Sequence, residues 1–369
     1  MAPIRTAIIG LSASGASATS WASNAHLPYL LSPRGQSKYK IVALCNSSVD
    51  AARKAIQHFN LPPDTKAYGD PQAVADDADI ELVVVATRVD VHYQTALPSA
   101  KAGKHVYVEW PLAQDVEHVD DLVQAAKDGG GRTVVGLQGR VSPPVLKLRD
   151  LLKEGRIGKV LSSEVRAAGG SIDRNTLPES LKYFTPKGIG GNVFTIGFGH
   201  YFAKIKPHTQ IQRPEVKISS SVSKEIIETV KTNVPDLVIA VGTVTPSETV
   251  QENASVLFRF RQGQPFGNEP ALVWTINGTK GELRLTAQAG TTLHAAAYFG
   301  SVIIEHHDFA TDRVEDIPWA WEDWQEGLPV LARIVGLVYE RFAEKVVSGV
   351  PTFDDAQKRH KQLEEIIEN

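Results

Sequence analysis

The sequence is poor in several features, and each shortage excludes a class of protein. Its 369 residues include one cysteine, Cys45, which excludes an internal disulfide and favours a reducing compartment, so we expect a cytoplasmic protein. Its longest apolar runs, such as residues 81–87, are far shorter than the roughly 20 residues that cross a membrane. A strand-like run begins within the first ten residues and leaves no room for a signal peptide. The formal net charge is −3 and no basic stripe points to nucleic acid.

The first 140 residues alternate short β-branched runs with amphipathic helical segments. Strand candidates lie at 5–11, 40–46, 80–88, 105–110 and 132–138, and helix candidates lie between them at 49–59, 70–77, 92–102 and 116–128. Runs that are apolar on both faces and alternate with helices predict a parallel sheet covered on both sides. We therefore expect a doubly wound α/β domain, which binds a dinucleotide, over residues 1–140.

The pattern changes after residue 140. A helix at 143–154 precedes long segments in which apolar and polar residues alternate, at 160–170, 215–226, 236–244, 252–263, 270–279 and 281–287. Such alternation, with a turn dipeptide at Asn277-Gly278, predicts a large open and mainly antiparallel sheet with one covered face. Two helical segments, 326–348 and 354–368, close the chain. The second domain, also of the α/β class, is expected to span residues 141–369 and to bind the substrate.

The turn after the first strand has the composition of a phosphate-binding loop. Gly10 stands where the strand should end, and Ser12, Ser14 and Gly15 follow among small residues that continue to Trp21. Glycines at such a turn let backbone N–H groups approach a pyrophosphate. The spacing departs from a strict G-x-G-x-x-G, so the place of the loop after the first strand carries the prediction. A loop of small residues without a ligand is the alternative.

The end of the second strand predicts which dinucleotide binds. An acidic residue there would bond a ribose 2′-hydroxyl, but the sequence has Asn46, Ser47 and Ser48, with Arg53 and Lys54 in the next helix. These residues do not repel a 2′-phosphate, so NADP(H) is favoured over NAD(H). The alternative is that the stretch only caps the helix, with Ser48 as the N-cap.

Residues 86–113, ATRVDVHYQTALPSAKAGKHVYVEWPLA, resemble the signature of the Gfo/Idh/MocA family, named after glucose–fructose oxidoreductase and inositol dehydrogenase. Further stretches resemble the family in the same order, at 136–143, 155–160, 190–200 and 276–285. Two short pieces, residues 136–140 and 109–111, are most similar to the subgroup that contains the dinucleotide-binding repressor of the yeast galactose regulon. The resemblance implies an N-terminal Rossmann domain, a second α/β domain with a large open sheet, and a nicotinamide cofactor.

The resemblance also implies roles for individual residues around the cofactor. Glu109 and Pro111 match the family's E-K-P motif, whose proline often follows a cis bond. His92 matches a histidine near the cofactor's ribose, and Gln138 and Arg140 match positions on the floor of the site. The predicted cofactor-binding set also includes Thr87, Arg88 and Trp110.

Two departures from the family pattern bear on catalysis. The family's lysine, which orients substrate and assists proton movement, is Trp110 here, and its aspartate falls on Ile196. His200 matches the histidine of the catalytic region, and its unperturbed pKa near 6.5 suits proton transfer in either direction. Tyr183 and Lys187 lie in a stretch that resembles the family's substrate loop. These three residues are the predicted catalytic groups.

The sequence therefore predicts an NAD(P)-dependent oxidoreductase. It would transfer a hydride between the nicotinamide and a small carbonyl, hydroxyl or imine substrate, sugar-like or otherwise cyclic. The missing lysine and aspartate favour the alternative, a regulatory protein that binds dinucleotide without turnover and acts on a protein partner. No metal is expected, because the histidines lack ligand spacing. The broad sheet of the second domain predicts a homodimer or tetramer.

Overall fold

A computed structural model of the chain describes residues 2–13, 20–169, 173–197, 204–346 and 349–368. The chain divides into two compact units. The first comprises Met1–Arg140, Gly188–Gly191 and Glu322–Lys361, and the second comprises Val141–Lys187, Asn192–Trp321 and Gln362–Asn369. The division at residue 140 inferred from the sequence stays a prediction, and the structure adds that a segment near the C-terminus groups with the first unit. No helix in the described ranges is long and apolar enough to span a membrane.

A six-stranded parallel sheet forms the centre of the first unit. Its strands are β1 (Ile4–Ile9), β2 (Tyr39–Cys45), β3 (Lys66–Tyr68), β4 (Leu82–Val85), β5 (His105–Val108) and β6 (Thr133–Val135). They lie in the order β3-β2-β1-β4-β5-β6 and all pair in parallel. All of β4 is buried, as expected for a strand covered on both faces. The predicted Rossmann fold is confirmed, and its strand order reverses between β1 and β4, where such sheets bind ligands.

Helices of both units largely follow the predicted segments. They are α1 (Leu27–Leu30), α2 (Pro33–Gln36), α3 (Val49–His58), α4 (Pro71–Asp76), α5 (His92–Lys101), α6 (Val116–Gly129), α7 (Pro143–Lys153), α8 (Asp323–Glu326), α9 (Val330–Ala343) and α10 (Phe353–Glu368). A π-helical turn, Ala22–His26, leads into α1, and Val193–Gly197 is a second one. Single 3-10 turns lie at Val89–Val91, Gln138–Val141, Glu179–Phe184, Lys187–Ile189 and Ala296–Phe299. The helix predicted at 326–348 is shorter, because α9 ends at Ala343.

A large mixed sheet forms the centre of the second unit. The strands of this unit are β7 (Val160–Ala168), β8 (Thr176–Pro178), β9 (Lys204–Gln210), β10 (Glu215–Ser219), β11 (Ile226–Lys231), β12 (Leu237–Thr243), β13 (Val250–Arg261), β14 (Leu272–Gly278), β15 (Gly281–Ala287), β16 (Val302–Asp308) and β17 (Arg313–Asp316). Eight of them form one sheet in the order β17-β16-β15-β14-β7-β13-β12-β9, and β11-β10-β8 form a smaller sheet. In the large sheet β7 and β13 are parallel and the other neighbours are antiparallel. The predicted mainly antiparallel sheet is confirmed.

Two predicted segments of the second unit differ in detail. The run at 215–226 forms two strands rather than one, because Ser220 starts a turn in which its Oγ accepts hydrogen bonds from the backbone N–H groups two and three residues ahead, both 3.2 Å away. The predicted turn dipeptide also lies elsewhere in the hairpin. Asn277 and Gly278 end β14, and residues 279–280 make the turn.

Candidate functional site

The first strand of the parallel sheet ends at Gly10, in a backbone conformation that favours glycine. Its φ is +102°, and a Cβ at this position would lie 2.8 Å from both the Ala86 carbonyl oxygen and Thr87 Cγ2. The Oγ1 of Thr87 is buried and has no hydrogen-bond partner in the described part of the chain. The ends of β1 and β4 therefore meet in a small cradle with one unused hydroxyl. Its location at the switch point of the sheet fits the pyrophosphate of a dinucleotide.

The loop that follows Gly10 is described only in part. Ser14 and Gly15 lie outside the described residues. Ser12 is exposed, and Trp21 is half-buried immediately before the π-helical turn. The predicted contacts of these four residues with a cofactor stay predictions.

The residues after β2 that are predicted to select the dinucleotide also make structural hydrogen bonds. Asn46 donates a hydrogen bond from Nδ2 to the Leu11 carbonyl oxygen at 2.8 Å. Ser48 caps α3 as the sequence predicts, because its Oγ accepts from a backbone N–H at 3.1 Å. Ser47 is exposed, and Arg53 is exposed with Asp50 3.6 Å away. Ser47, Arg53 and Lys54 are thus the residues of this stretch that are exposed and do not cap the helix.

Glu109 follows β5 and lies in a hydrogen-bonded group that we call the Glu109 cluster. Its Oε1 is 2.8 Å from His26 Nε2, and both carboxylate oxygens accept from Gln138 Nε2 at 2.9 Å. His26 Nδ1 lies 2.8 Å from the Tyr339 hydroxyl, and Gln138 Nε2 also lies 3.2 Å from the Tyr107 hydroxyl. Glu109 is 9% exposed and His26 is fully buried. Burial raises the pKa of both tyrosine hydroxyls, so they remain protonated hydrogen-bonding groups.

Gly136 makes room for this carboxylate. A Cβ at Gly136 would lie 2.3 Å from Glu109 Oε2 and 2.7 Å from the Trp110 backbone nitrogen. Because neither distance is tolerated by real side chains, any larger residue would displace Glu109 or its neighbour. Position 136, which opens the 136–143 motif, is therefore a glycine for steric reasons.

His92 lies between two backbone carbonyls. Its Nδ1 is 2.8 Å from the Pro111 oxygen and its Nε2 is 2.9 Å from the Thr87 oxygen, and the residue is 2% exposed. Burial lowers the pKa of His92. Both ring nitrogens thus face the chain itself, and His92 ties the end of β4 to Pro111. Its predicted contact with the cofactor's ribose stays a prediction.

Trp110, at the position of the family's lysine, is only 7% exposed. Its indole packs against the ring of His360 on α10, with 4.7 Å between the ring centroids. His360 Nε2 accepts a hydrogen bond from the Leu112 backbone N–H at 3.2 Å, and burial lowers the pKa of His360 to about 3. The imidazole is therefore neutral near pH 7. The bond between Trp110 and Pro111 is cis, as the resemblance implies.

Two predicted cofactor-binding arginines are paired with carboxylates. Arg140 Nη1 lies 2.8 Å from Asp355 Oδ1 on α10. Arg88 forms two hydrogen bonds of 2.6 Å with the carboxylate of Asp90, and the Arg88 guanidinium lowers the pKa of that carboxyl. Both arginines are thus oriented by neighbouring acids.

The structure describes two of the three predicted catalytic residues. His200 lies outside the described residues. Tyr183 is half-buried in a 3-10 turn, with its ring centroid 4.8 Å from that of Phe184. Lys187 is exposed, and its backbone N–H donates to Asn233 Oδ1 at 2.7 Å. Their catalytic roles stay predictions.

Several residues at this site have no signal in the sequence. His26 and Tyr339 are in contact although 313 positions separate them. His360 reaches Leu112 across 248 positions. Because such contacts link distant segments, no local spacing could have indicated them. Within the ranges that the structure describes, no three His, Cys, Asp or Glu side chains are grouped to hold a metal ion.

Two known protein families match the chain. The oxidoreductase family with an NAD-binding Rossmann fold, Gfo/Idh/MocA, matches residues 4–137. The C-terminal domain of Gal80p matches residues 143–287.

Individual relatives include both regulators and enzymes. The galactose/lactose metabolism regulatory protein GAL80 of Saccharomyces cerevisiae is 30% identical over 307 residues, which cover 78% of this chain and 68% of that protein. The dehydrogenase aclE of Aspergillus oryzae is 26% identical over 375 residues, which cover 99% of this chain and 95% of that protein. Among solved structures, a super-repressor mutant of Gal80p from S. cerevisiae has a TM-score of 0.84 at 24% identity, covering 100% of this chain and 96% of that chain. Levoglucosan dehydrogenase in its apo form has a TM-score of 0.75 at 20% identity, with the same coverage.

Proposed function

The chain belongs to the Gfo/Idh/MocA oxidoreductase family, and from that premise we propose that it is an NAD(P)-dependent oxidoreductase. Its substrate is a small carbonyl, hydroxyl or imine compound, sugar-like or otherwise cyclic. The observation that carries the proposal is the cradle at Gly10, where β1 and β4 approach too closely for any other side chain. The similarity to the dehydrogenase aclE, which extends over almost the whole of both chains, supports it.

Residues of the first unit bind and orient the dinucleotide in this proposal. When bound, the nicotinamide supplies or accepts the hydride. Gly10 lets the ends of β1 and β4 approach each other, and the backbone there, with the buried hydroxyl of Thr87, receives the pyrophosphate. The Glu109 cluster fixes the chain that leads into Trp110 and Pro111, and His92 holds Pro111 against the end of β4.

The substrate oxygen or nitrogen also needs a proton acceptor or donor. Trp110 does not serve, since an indole has no acid or base function near neutral pH and this ring lies against a neutral imidazole. We assign the proton transfer to His200, with Tyr183 and Lys187 as the other candidates. The assignment rests on the family motif that contains them.

We propose that NADP(H) is preferred over NAD(H). Residues 46–48 beyond β2 carry no carboxylate, and Ser47 and Arg53 are exposed there. A 2′-phosphate would therefore meet the hydroxyl of Ser47 and the guanidinium of Arg53, which also lies 3.6 Å from the carboxylate of Asp50.

A turnover assay tests the proposed activity. The intact protein is mixed with NADPH or NADH and a panel of small carbonyls, imines and sugars between about pH 5 and pH 9, and nicotinamide absorbance is followed. We expect oxidation with at least one compound, faster with NADPH. His200→Ala should lower turnover by about 100-fold or more without changing dinucleotide affinity. His208→Ala, which alters an exposed histidine of β9 outside the motif, is the control. Unchanged turnover in His200→Ala would contradict the assignment of the proton transfer.

The buried indole favours a second candidate, a dinucleotide-binding regulatory protein without turnover. Trp110 removes the family's lysine, and the chain is 30% identical to the regulatory protein GAL80. In that case the same cradle at Gly10 binds the dinucleotide, and the bound state alters affinity for a protein partner. Saturable NADPH binding with no oxidation by any compound of the panel would favour this candidate over the enzyme.

We further propose a homodimer or tetramer formed through the large sheet. Val241 of β12 lies directly opposite Leu257 of β13, and both are exposed on one face together with Ile303 of β16. Apolar side chains on an open sheet face gain stability when a second subunit covers them. Light scattering at micromolar concentration should give a dimer or larger species, and a monomer would contradict the proposal. The cytoplasmic location predicted from the single cysteine remains a proposal.

A further inference from the structure

The second unit contains a pocket whose described lining includes none of the residues to which we assign the proton transfer. It lies beside the small sheet, and Leu177, Phe184 and Val216 form its apolar wall. Arg174, Arg213 and Asp236 supply its charged lining. We call this the arginine pocket.

The one carboxylate in the lining is already satisfied. Asp236 is 5% exposed, its Oδ1 accepts from the Gln212 backbone N–H at 2.6 Å, and its Oδ2 accepts from Arg213 Nη1 at 3.2 Å. Arg174 contacts neutral groups instead, since its Nε and Nη2 donate to the side chain and carbonyl of Gln264 at 3.2 and 3.4 Å. In the part of the chain that the structure describes, no carboxylate oxygen lies within 4.0 Å of Arg174, the distance that defines an ion pair. Two guanidiniums therefore face one carboxylate.

A third guanidinium adds to the surplus. Arg261 ends β13 next to the pocket, and its Nη1 lies 3.4 Å from the carbonyl oxygens of Gln262 and Gly263. Desolvation first, and then the charges of neighbouring guanidiniums including Arg174 and Arg213, lower the pKa of Arg261, while the charge of Glu269, which pairs with Arg166, opposes them. Like charges held this close raise the free energy of the folded chain unless an anion joins them.

The surrounding backbone holds these groups in place. A Cβ at Gly263, whose φ is +91°, would lie 2.3 Å from Arg174 Cβ, so the loop after β13 packs directly onto the arginine. On the opposite side Thr232 donates from Oγ1 to the Thr185 carbonyl oxygen at 2.8 Å and accepts from the Val234 backbone N–H at 3.1 Å. A pocket whose walls are fixed before the ligand arrives loses little entropy on binding.

We propose that the arginine pocket binds the carboxylate or phosphate group of a small organic anion, with Arg174 and Arg213 as its ligands. A guanidinium presents paired N–H donors that match both groups. The apolar wall of Leu177, Phe184 and Val216 receives the carbon skeleton attached to the anionic group. The described lining of the site comes from residues of the second unit alone.

Thermal unfolding of the intact protein tests the proposal with two probes. Inorganic phosphate represents the phosphate group, and benzoate represents a carboxylate with an apolar body, each at constant ionic strength against chloride. We expect at least one probe to raise the unfolding midpoint saturably at millimolar concentration. Phosphate alone, benzoate alone, or both would each support the site and identify its anionic group.

Variants separate this site from the dinucleotide site, which also accepts phosphate. Arg174→Gln should weaken the effective probe by about tenfold or more, and Arg174→Lys by less. Arg313→Gln removes the same charge from exposed β17 and should change nothing. NADPH affinity should be equal in all of these proteins. No saturable effect of either probe would overturn the proposal, and so would an undiminished effect in Arg174→Gln.

Discussion

The Glu109 cluster and the arginine pocket hold partly buried charge in opposite ways. In the cluster, one carboxylate is met by a histidine and an amide, and the histidine is met in turn by a tyrosine hydroxyl. In the pocket, guanidiniums outnumber the one carboxylate, which is already bonded. A buried group whose hydrogen bonds are complete orients the chain around it. Where positive charges are in excess, an anionic ligand can instead form a favourable interaction with them.

The largest effect should follow from crowding the Glu109 cluster. Gly136→Ala places a methyl group 2.3 Å from Glu109 Oε2, so the carboxylate must leave its partners or the backbone must shift. We expect the free energy of unfolding to fall by about 3 kcal/mol. Urea unfolding measures it. The matched control is Gly139→Ala, three residues on, where a Cβ meets nothing within 4 Å. Equal stability of the two variants would show that the cluster is not tightly packed.

The second largest effect should be a loss of stability of the first unit at acidic pH. Burial lowers the pKa of His360 to about 3, whereas a histidine in the unfolded chain titrates near 6.5. The unfolded chain therefore binds a proton that the folded chain does not, and the stability present above pH 6.5 is lost as the pH falls toward 3. Between pH 7.5 and pH 5 this residue should lower the free energy of unfolding by about 2 kcal/mol.

Two variants test whether His360 causes this loss of stability at acidic pH. His360→Gln should remove most of this share of the pH dependence, and His58→Asn, at an exposed histidine, should retain it. Burial also lowers the pKa of His92 and His105, which adds a loss of the same sign. A pH dependence as steep in His360→Gln as in the unaltered chain would rule out the buried neutral imidazole.

The smallest change in the free energy of unfolding should come from the arginine pocket, and it should be an increase. Arg174→Gln removes repulsion from Arg261, so at low salt and without added anion it should stabilise the protein by about 0.5 kcal/mol. Arg313→Gln should change stability by less. Urea unfolding at low and high salt measures both, and the difference should vanish as salt screens the charges. A loss of stability in Arg174→Gln at low salt would mean that its bonds to Gln264 matter more than repulsion.

The sheet of the first unit was predictable from sequence because its signal is local. Each buried strand is a short apolar run, and the helix between two strands shows its own period, so the order of elements follows from reading along the chain. β3 was missed because three residues, Lys66–Tyr68, are too short to show a period. In the second unit the strands β7, β12, β13, β14 and β15 were found, but β9 and β16, each seven residues long, were missed. The small sheet was missed as well, because its members β8 and β10 pair across 40 residues of chain.

Only those residues of the candidate site that lie in sequence motifs could be predicted. Gly10, Glu109 and Pro111 stand in motifs of consecutive residues. The partners that decide what these residues do, His26, Tyr339 and His360, come from distant segments. The arginine pocket illustrates the same limit, since residues 174, 213 and 236 belong to separate loops that only folding brings together.

Binding of a reduced dinucleotide tests the central claim most directly. Nicotinamide fluorescence is titrated with the intact protein, with Gly10→Ala, and with Gly130→Ala, which shares the positive φ but meets nothing within 4 Å. We predict saturable binding of one dinucleotide per chain, NADPH more tightly than NADH. Gly10→Ala should weaken it by about tenfold or more, and Gly130→Ala should not. No saturable binding to the unaltered protein, or unchanged affinity in a folded Gly10→Ala, would contradict a dinucleotide site at this strand end.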